Sequence, residues 1–94
     1  MKFVVIYRPQ EPAPRDQQPQ LLSEMGAWME KFGDRVTGVE FFVDGGGLGF
    51  VETDDAEDLT RLVAENPFSP YSEIEIKPVV APERAMAILA ESLG

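Results

Sequence analysis

Ninety-four residues with 44% hydrophobic content make one domain with a single core, too small to carry a separate site-bearing lobe. Seventeen acidic against eight basic residues leave a net charge of −9, which repels phosphate backbones and anionic lipid, and no basic cluster overrides it; neither nucleic acid nor a membrane is expected as a partner. Cysteine and histidine are both absent, which removes thiol nucleophiles, disulfides, imidazole bases, haem ligation by histidine and almost every zinc site.

No apolar run approaches the ~20 residues of a membrane span. The N-terminal MKFVVIYRPQ has no small-residue cleavage site after it and reads as a strand, so the chain is expected to be soluble and cytoplasmic. In the strand Lys2 to Arg8, Phe3, Val5 and Tyr7 fall on one face and Val4 and Ile6 on the other. A strand apolar on both sides needs cover on both, one from helices and the other from a second subunit. Pro9 to Gln20 has four prolines and no periodicity, which predicts a loop.

A helix begins around Asp16 to Gln20, with Asp16 the expected N-cap, and carries Leu21, Met25, Trp28, Met29 and Phe32 as its buried stripe, with Gly33 as its stop. Val36 to Val43 and Leu48 to Thr53 are rich in β-branched and aromatic residues, and Asp44-Gly45-Gly46-Gly47 between them predicts a tight hairpin. The glycines run from strand into strand, with no helix N-terminus to receive an anion, so they do not form a phosphate loop. Gly49 is expected to leave space on the sheet face away from the helices.

A second helix opens with Asp54 as N-cap and Glu57 completing a capping box, and buries Leu59, Leu62 and Val63. The surrounding acidic run lacks calcium-loop spacing, and no metal site is expected. Asn66 to Tyr71, with two prolines, ends this helix. Ser72 to Val79 alternates Ile74 and Ile76 with Glu73, Glu75 and Lys77, the pattern of an edge strand with one charged face. Pro82 then opens a last helix with Met86, Leu89, Ala90 and Leu93 on one side.

The order β-α-β-β-α-β predicts an α+β, ferredoxin-like fold with a four-stranded antiparallel sheet in strand order 4-1-3-2 and two helices on one face. Residues 1–94 form a single domain, with a core over 2–80 and a C-terminal helix over 82–93. The other sheet face is too apolar to leave in water, and sheet-to-sheet packing into a homodimer, or a higher oligomer, would bury it.

GGGLGFVETDD and NPFSPYSEIEIKPV, with this topology and length, resemble the dimeric α+β-barrel superfamily over about Lys2 to Val80. Pro67 to Val79 is similar to the C-terminal strand region of muconolactone isomerases, and the hairpin resembles small stand-alone members. The resemblance implies a dimeric barrel. It also implies a range of roles: isomerase, cofactor-free monooxygenase, haem-degrading enzyme or stress-induced protein. Haem-degrading members and many of the monooxygenases rely on a histidine that this chain lacks, and Trp28 has no companion tryptophan, so those two activities are not expected.

Two classes of function remain open. The first is a cofactor-free isomerase or oxygenase acting on a small lactone-like or aromatic substrate. Glu40, beside Val39 and Phe41, would be its acid or base, Arg8 would hold a substrate carboxylate, and Tyr71 would donate a hydrogen bond. Each has a plainer alternative: a solvated edge carboxylate, a surface charge and a packing tyrosine. The second is a non-catalytic dimer that binds a small apolar ligand, or acts as a structural or regulatory partner, with Tyr7, Trp28, Phe41, Phe42, Phe50 and Phe68 lining its pocket. A buried carboxylate paired with Arg8 or a tyrosine inside a pocket would separate the two.

Overall fold

β1 (Lys2–Pro9) lies in the interior of the sheet and pairs antiparallel on both sides, with β3 (Gly47–Glu52) from Lys2↔Glu52 to Tyr7↔Gly47 and with β4 (Ser72–Val79) from Lys2↔Val79 to Pro9↔Ser72. β2 (Val36–Phe41) pairs with β3 and carries an irregularity between Val36 and Gly38, so the four strands run β2-β3-β1-β4. This is the ferredoxin-like order expected from the sequence. The computed structural model describes residues 1–94.

α1 (Gln18–Phe32) and α2 (Ala56–Glu65) contribute their apolar residues to one side of this sheet. Val5 and Val51 from the sheet, Trp28 and Phe32 from α1 and Leu62 from α2 form the buried core, each side chain worth ~1.5–3 kcal/mol of hydrophobic stabilisation. The Trp28 indole N–H donates to the Leu62 carbonyl oxygen over 2.9 Å and so joins the two helices through a buried hydrogen bond. Lys31–Glu65 (2.6 Å) reinforces this helix pair from outside, and Arg35–Asp58 (2.7 Å) ties the turn after α1 to α2.

Two expected helix caps differ from the sequence reading. The chain enters α1 through a 3-10 turn at Arg15–Gln17, so Gln17 precedes the helix and Asp16 does not cap it. At the other end α1 stops at Phe32 with Gly33 as its C-cap, as expected, at a right-handed φ of −60° that leads into a second 3-10 turn. At α2 the cap is Asp55, in extended conformation, accepting from the Glu57 N–H at 2.9 Å. Asp54 instead receives the N-terminal ammonium, together with Glu52.

The hairpin turn is closed by Phe42 N–H to the Gly46 carbonyl at 2.9 Å. Gly46 has φ +80°, and a β-carbon there would meet the Tyr7 carbonyl oxygen, part of the neighbouring strand's backbone, at 2.2 Å. The turn is therefore pressed against the end of β1. Gly49 pairs with Val5 and Val39, both on the helix side, so the space it leaves faces the helices and not the opposite sheet face.

α3 (Pro82–Leu93) stands apart from this body and has no buried residue. A compact chain of this size has a radius of gyration of roughly 12 Å. This one reaches 15.8 Å and extends 59 Å along its longest axis.

Gly46→Ala should destabilise the fold by about 2 kcal/mol or more, since positive φ strain and a backbone clash combine. Urea unfolding reads this directly, and an unchanged midpoint would contradict the contact between turn and β1.

Candidate functional site

Large side chains fill the helix side of the sheet at one end, and glycines replace them at the other. Opposite Val5 and Tyr7 the third strand supplies Gly49 and Gly47, which place no side chain between sheet and helix. What remains is a half-open cleft of ≈ 510 Å³, in the range of small-molecule sites. Its floor is Val5, Tyr7 and the two glycines. Leu21, Leu22, Met25 and Trp28 of α1 form one wall, and Asn66, Phe68, Tyr71 and Ser72 form the other. Pro9 to Ala13 borders the mouth, which gives the proline-rich segment a place beside the cleft.

The polar groups in this cleft are few. Glu11 is the one charged lining residue, and it is exposed in the segment bordering the mouth. Trp28 N–H is already committed to Leu62. Asn66 is buried, and its Oδ1 accepts from the Phe68 N–H at 2.9 Å, an arrangement that turns the chain out of α2. The Tyr71 hydroxyl donates to Gln17 Oε1 at 3.3 Å, linking the second wall to the start of α1. The Tyr7 hydroxyl is sealed from solvent without a hydrogen-bond partner, and the neighbouring Ser69 hydroxyl donates to the Val63 carbonyl at 2.6 Å. Burial pushes the Tyr7 pKa above its ordinary value, with the nearby Ser69 opposing the shift.

Tyr7, Trp28, Phe68 and Tyr71 thus come together around one cavity. Glu40, Arg8 and Phe50 do not join them. Glu40 sits opposite Leu48 and points to the sheet face away from the helices, where it is exposed. Arg8 lies on that same face and pairs with Glu75 at 2.7 Å, which with Lys77 at 3.0 Å holds the Glu75 carboxyl below its usual range. Phe50 is there too, under the Lys2 ammonium at 4.9 Å from the ring centre. Phe42 belongs to the hairpin turn and is not part of the cleft wall. No group of three or more Asp or Glu side chains is placed to hold a metal ion.

Sequence inspection did not single out Asn66, Met25, Leu21, Leu22 or Gly49 as site residues. Asn66 was marked only by the Pro67 that follows it, and the α1 residues by the same spacing that marks core. Gly49 was detectable in principle, because it shares a face with the core residue Val51.

The chain belongs to the DUF3303 family, described as a domain of unknown function, whose pattern matches residues 1–93. It matches no curated protein sequence. Among solved structures it is similar to muconolactone isomerase, at 16% identity and a TM-score of 0.73, covering 87% of this chain and 92% of the other. It is also similar to 5-chloro-2-hydroxyhydroquinone dehydrochlorinase from Burkholderia phenoliruptrix AC1100, determined in complex with 2,5-dihydroxybenzoquinone. That pair shares 13% identity and a TM-score of 0.67, covering 89% of this chain and 98% of the other. Both likenesses show a shared ferredoxin-like α+β fold.

Tyr7→Phe removes a sealed hydroxyl that has no partner, so stability should hold or rise by up to ~1–2 kcal/mol. The neutral phenol is favoured in the fold, so its contribution is full below the unfolded pKa of about 10 and is lost as pH rises through the raised folded value. Unfolding midpoints measured from pH 8 to 11 should therefore fall less steeply for Tyr7→Phe than for the parent.

Proposed function

We propose that this member of the family binds a small, flat, uncharged ring compound in the cleft between α1 and the sheet, without a catalytic step of its own. The observation that carries this is a ≈ 510 Å³ cleft walled by apolar side chains, with no acid and base facing each other across it. Absence of any basic lining residue and a net charge of −9 both disfavour an anionic ligand. A planar ring suits the aromatic wall of Trp28, Phe68 and Tyr71. The solved relative whose ligand is a dihydroxybenzoquinone supports a ligand of this size on this architecture.

An isomerase or oxygenase on a lactone-like or aromatic substrate would need an acid or base at the bound ring. Glu40 and Arg8, the residues suited to those roles by type, lie on the opposite face of the sheet. That opposite face is better read as a surface for self-association. Val4, Ile6, Leu48 and Phe50 form its half-buried centre, and charges of both signs surround them at Lys2, Arg8, Glu75 and Lys77. A twofold partner would meet complementary charges around an apolar patch.

Trp28 is the only tryptophan and lines the cleft, so its emission reports occupancy. Titration with 1,4-naphthoquinone or a neutral aromatic lactone should quench it saturably. Gly49→Val, whose β-carbon meets nothing closer than 3.6 Å, should fill the cleft and weaken binding roughly tenfold or more while the protein stays folded. Glu40→Gln should leave the affinity unchanged. Loss of binding in Glu40→Gln with retention in Gly49→Val would place the ligand on the other face and end this proposal.

A further inference from the structure

α3 is a twelve-residue helix on which Met86, Leu89, Ala90 and Leu93 recur at i, i+3, i+4 and i+7. With that spacing an amphipathic helix seats its side chains in an apolar groove. Nothing in its own subunit covers them, and Leu89 and Leu93 are 56% and 88% exposed. The same chain carries an apolar rim with no cover. Leu22, Val39 and Phe41 line the cleft and are exposed, Phe41 at 80%.

The fold keeps this arm from its own rim. Val79 pairs with Lys2, so α3 leaves the sheet at the start of β1, whereas Phe41 pairs with Gly47, opposite Tyr7, near the other end of that strand. The rim also belongs to the β2 edge, three strand spacings or about 14 Å across the sheet from β4. Only Val80 and Ala81 separate strand from helix, so Val79 and Pro82 lie at most ~11 Å apart.

Every chain therefore presents one unpartnered apolar arm and one unpartnered apolar rim. Equal numbers of the two on identical chains are matched by a second copy. A reciprocal exchange about a twofold axis satisfies both. The areas agree. A compact chain of this mass exposes roughly 5,400 Å². This one exposes 6781 Å². The surplus of about 1,400 Å² exceeds the ~800 Å² per partner of a standard interface.

We infer that α3 is an arm that closes the cleft of a second copy of this chain, its Met86, Leu89 and Leu93 side seated on the partner's Leu22–Val39–Phe41 rim. The inference rests on the cleft being a binding site, which a partner's helix then completes.

Leu89→Asp and Phe41→Asp in the full chain test it. Both side chains are exposed, so neither change disturbs the subunit's own fold. In sedimentation the parent chain should be a dimer at micromolar concentration, and each variant alone should dimerise at least about tenfold more weakly. In each variant Trp28 emission should also shift to the red, as the cleft opens to water. An equimolar mixture should recover much of the dimer and the emission, because one intact arm then meets one intact rim. A monomeric parent, a variant that dimerises as tightly as the parent, weakening by Leu89→Asp alone, or a mixture without recovery would each overturn the exchange. A parent that exchanges arms in this way, yet shows no quenching by 1,4-naphthoquinone, would refute the binding site and leave the arm contact standing.

Discussion

The bond from the Trp28 indole N–H to the Leu62 carbonyl holds the rest of the structure in place. It is buried, so breaking it would strand a donor and an acceptor away from water, at a cost of about 1–3 kcal/mol. It also fixes α1 against α2 directly above Val5 and Val51, where the sheet offers bulk. From that anchor α1 runs back towards its N-terminus over Gly47 and Gly49, where the sheet offers none. Leu21, Leu22 and Met25 of α1 line the cleft together with these two glycines.

Chemistry divides between the sheet's two faces in the same way. Alternation along β1 sends Val5 and Tyr7 to the helices and Ile6 and Arg8 to the open side. The charged partners of β4, Glu75 and Lys77, follow Arg8. Every fixed charge on the sheet is thus removed from the cleft, apart from Glu11 in the bordering loop. A cavity so depleted of charge offers shape and apolar area, with little to polarise a bound group or transfer a proton.

Secondary structure was largely legible, and the lapses have local physical causes. Asp54 and Asp55 are equally good caps by residue type, so type alone does not choose between them; Asp55 caps, and Asp54 pairs with the ammonium group fifty-three residues away in sequence. Gly33 does end α1, but at a right-handed φ, since the chain continues into a tightened turn before β2. Four of the six aromatic residues suited to a pocket did gather around one, because Tyr7, Trp28, Phe41 and Phe68 share the helix side. Phe50 and Phe42 did not, because an aromatic residue in a strand or turn carries no label for the face it will take. Glu40 and Arg8 were chosen by functional group, and functional group says nothing about direction.

The amino-acid sequence by itself determined the order of elements, the hairpin at Asp44 to Gly47, the apolar stripes of the helices and the exclusion of thiol and imidazole chemistry. These depend on composition and on spacings of two and of three to four residues, which neighbouring residues alone establish. Only the tertiary structure decided which face of each strand met the helices, where Gly49 left its space, that Arg8 would pair with Glu75, and that α3 would stand clear of its own domain. A period of two defines a pair of faces without saying which one is covered. That assignment comes from contacts between residues far apart in the chain, which exist only once the strands have taken their register.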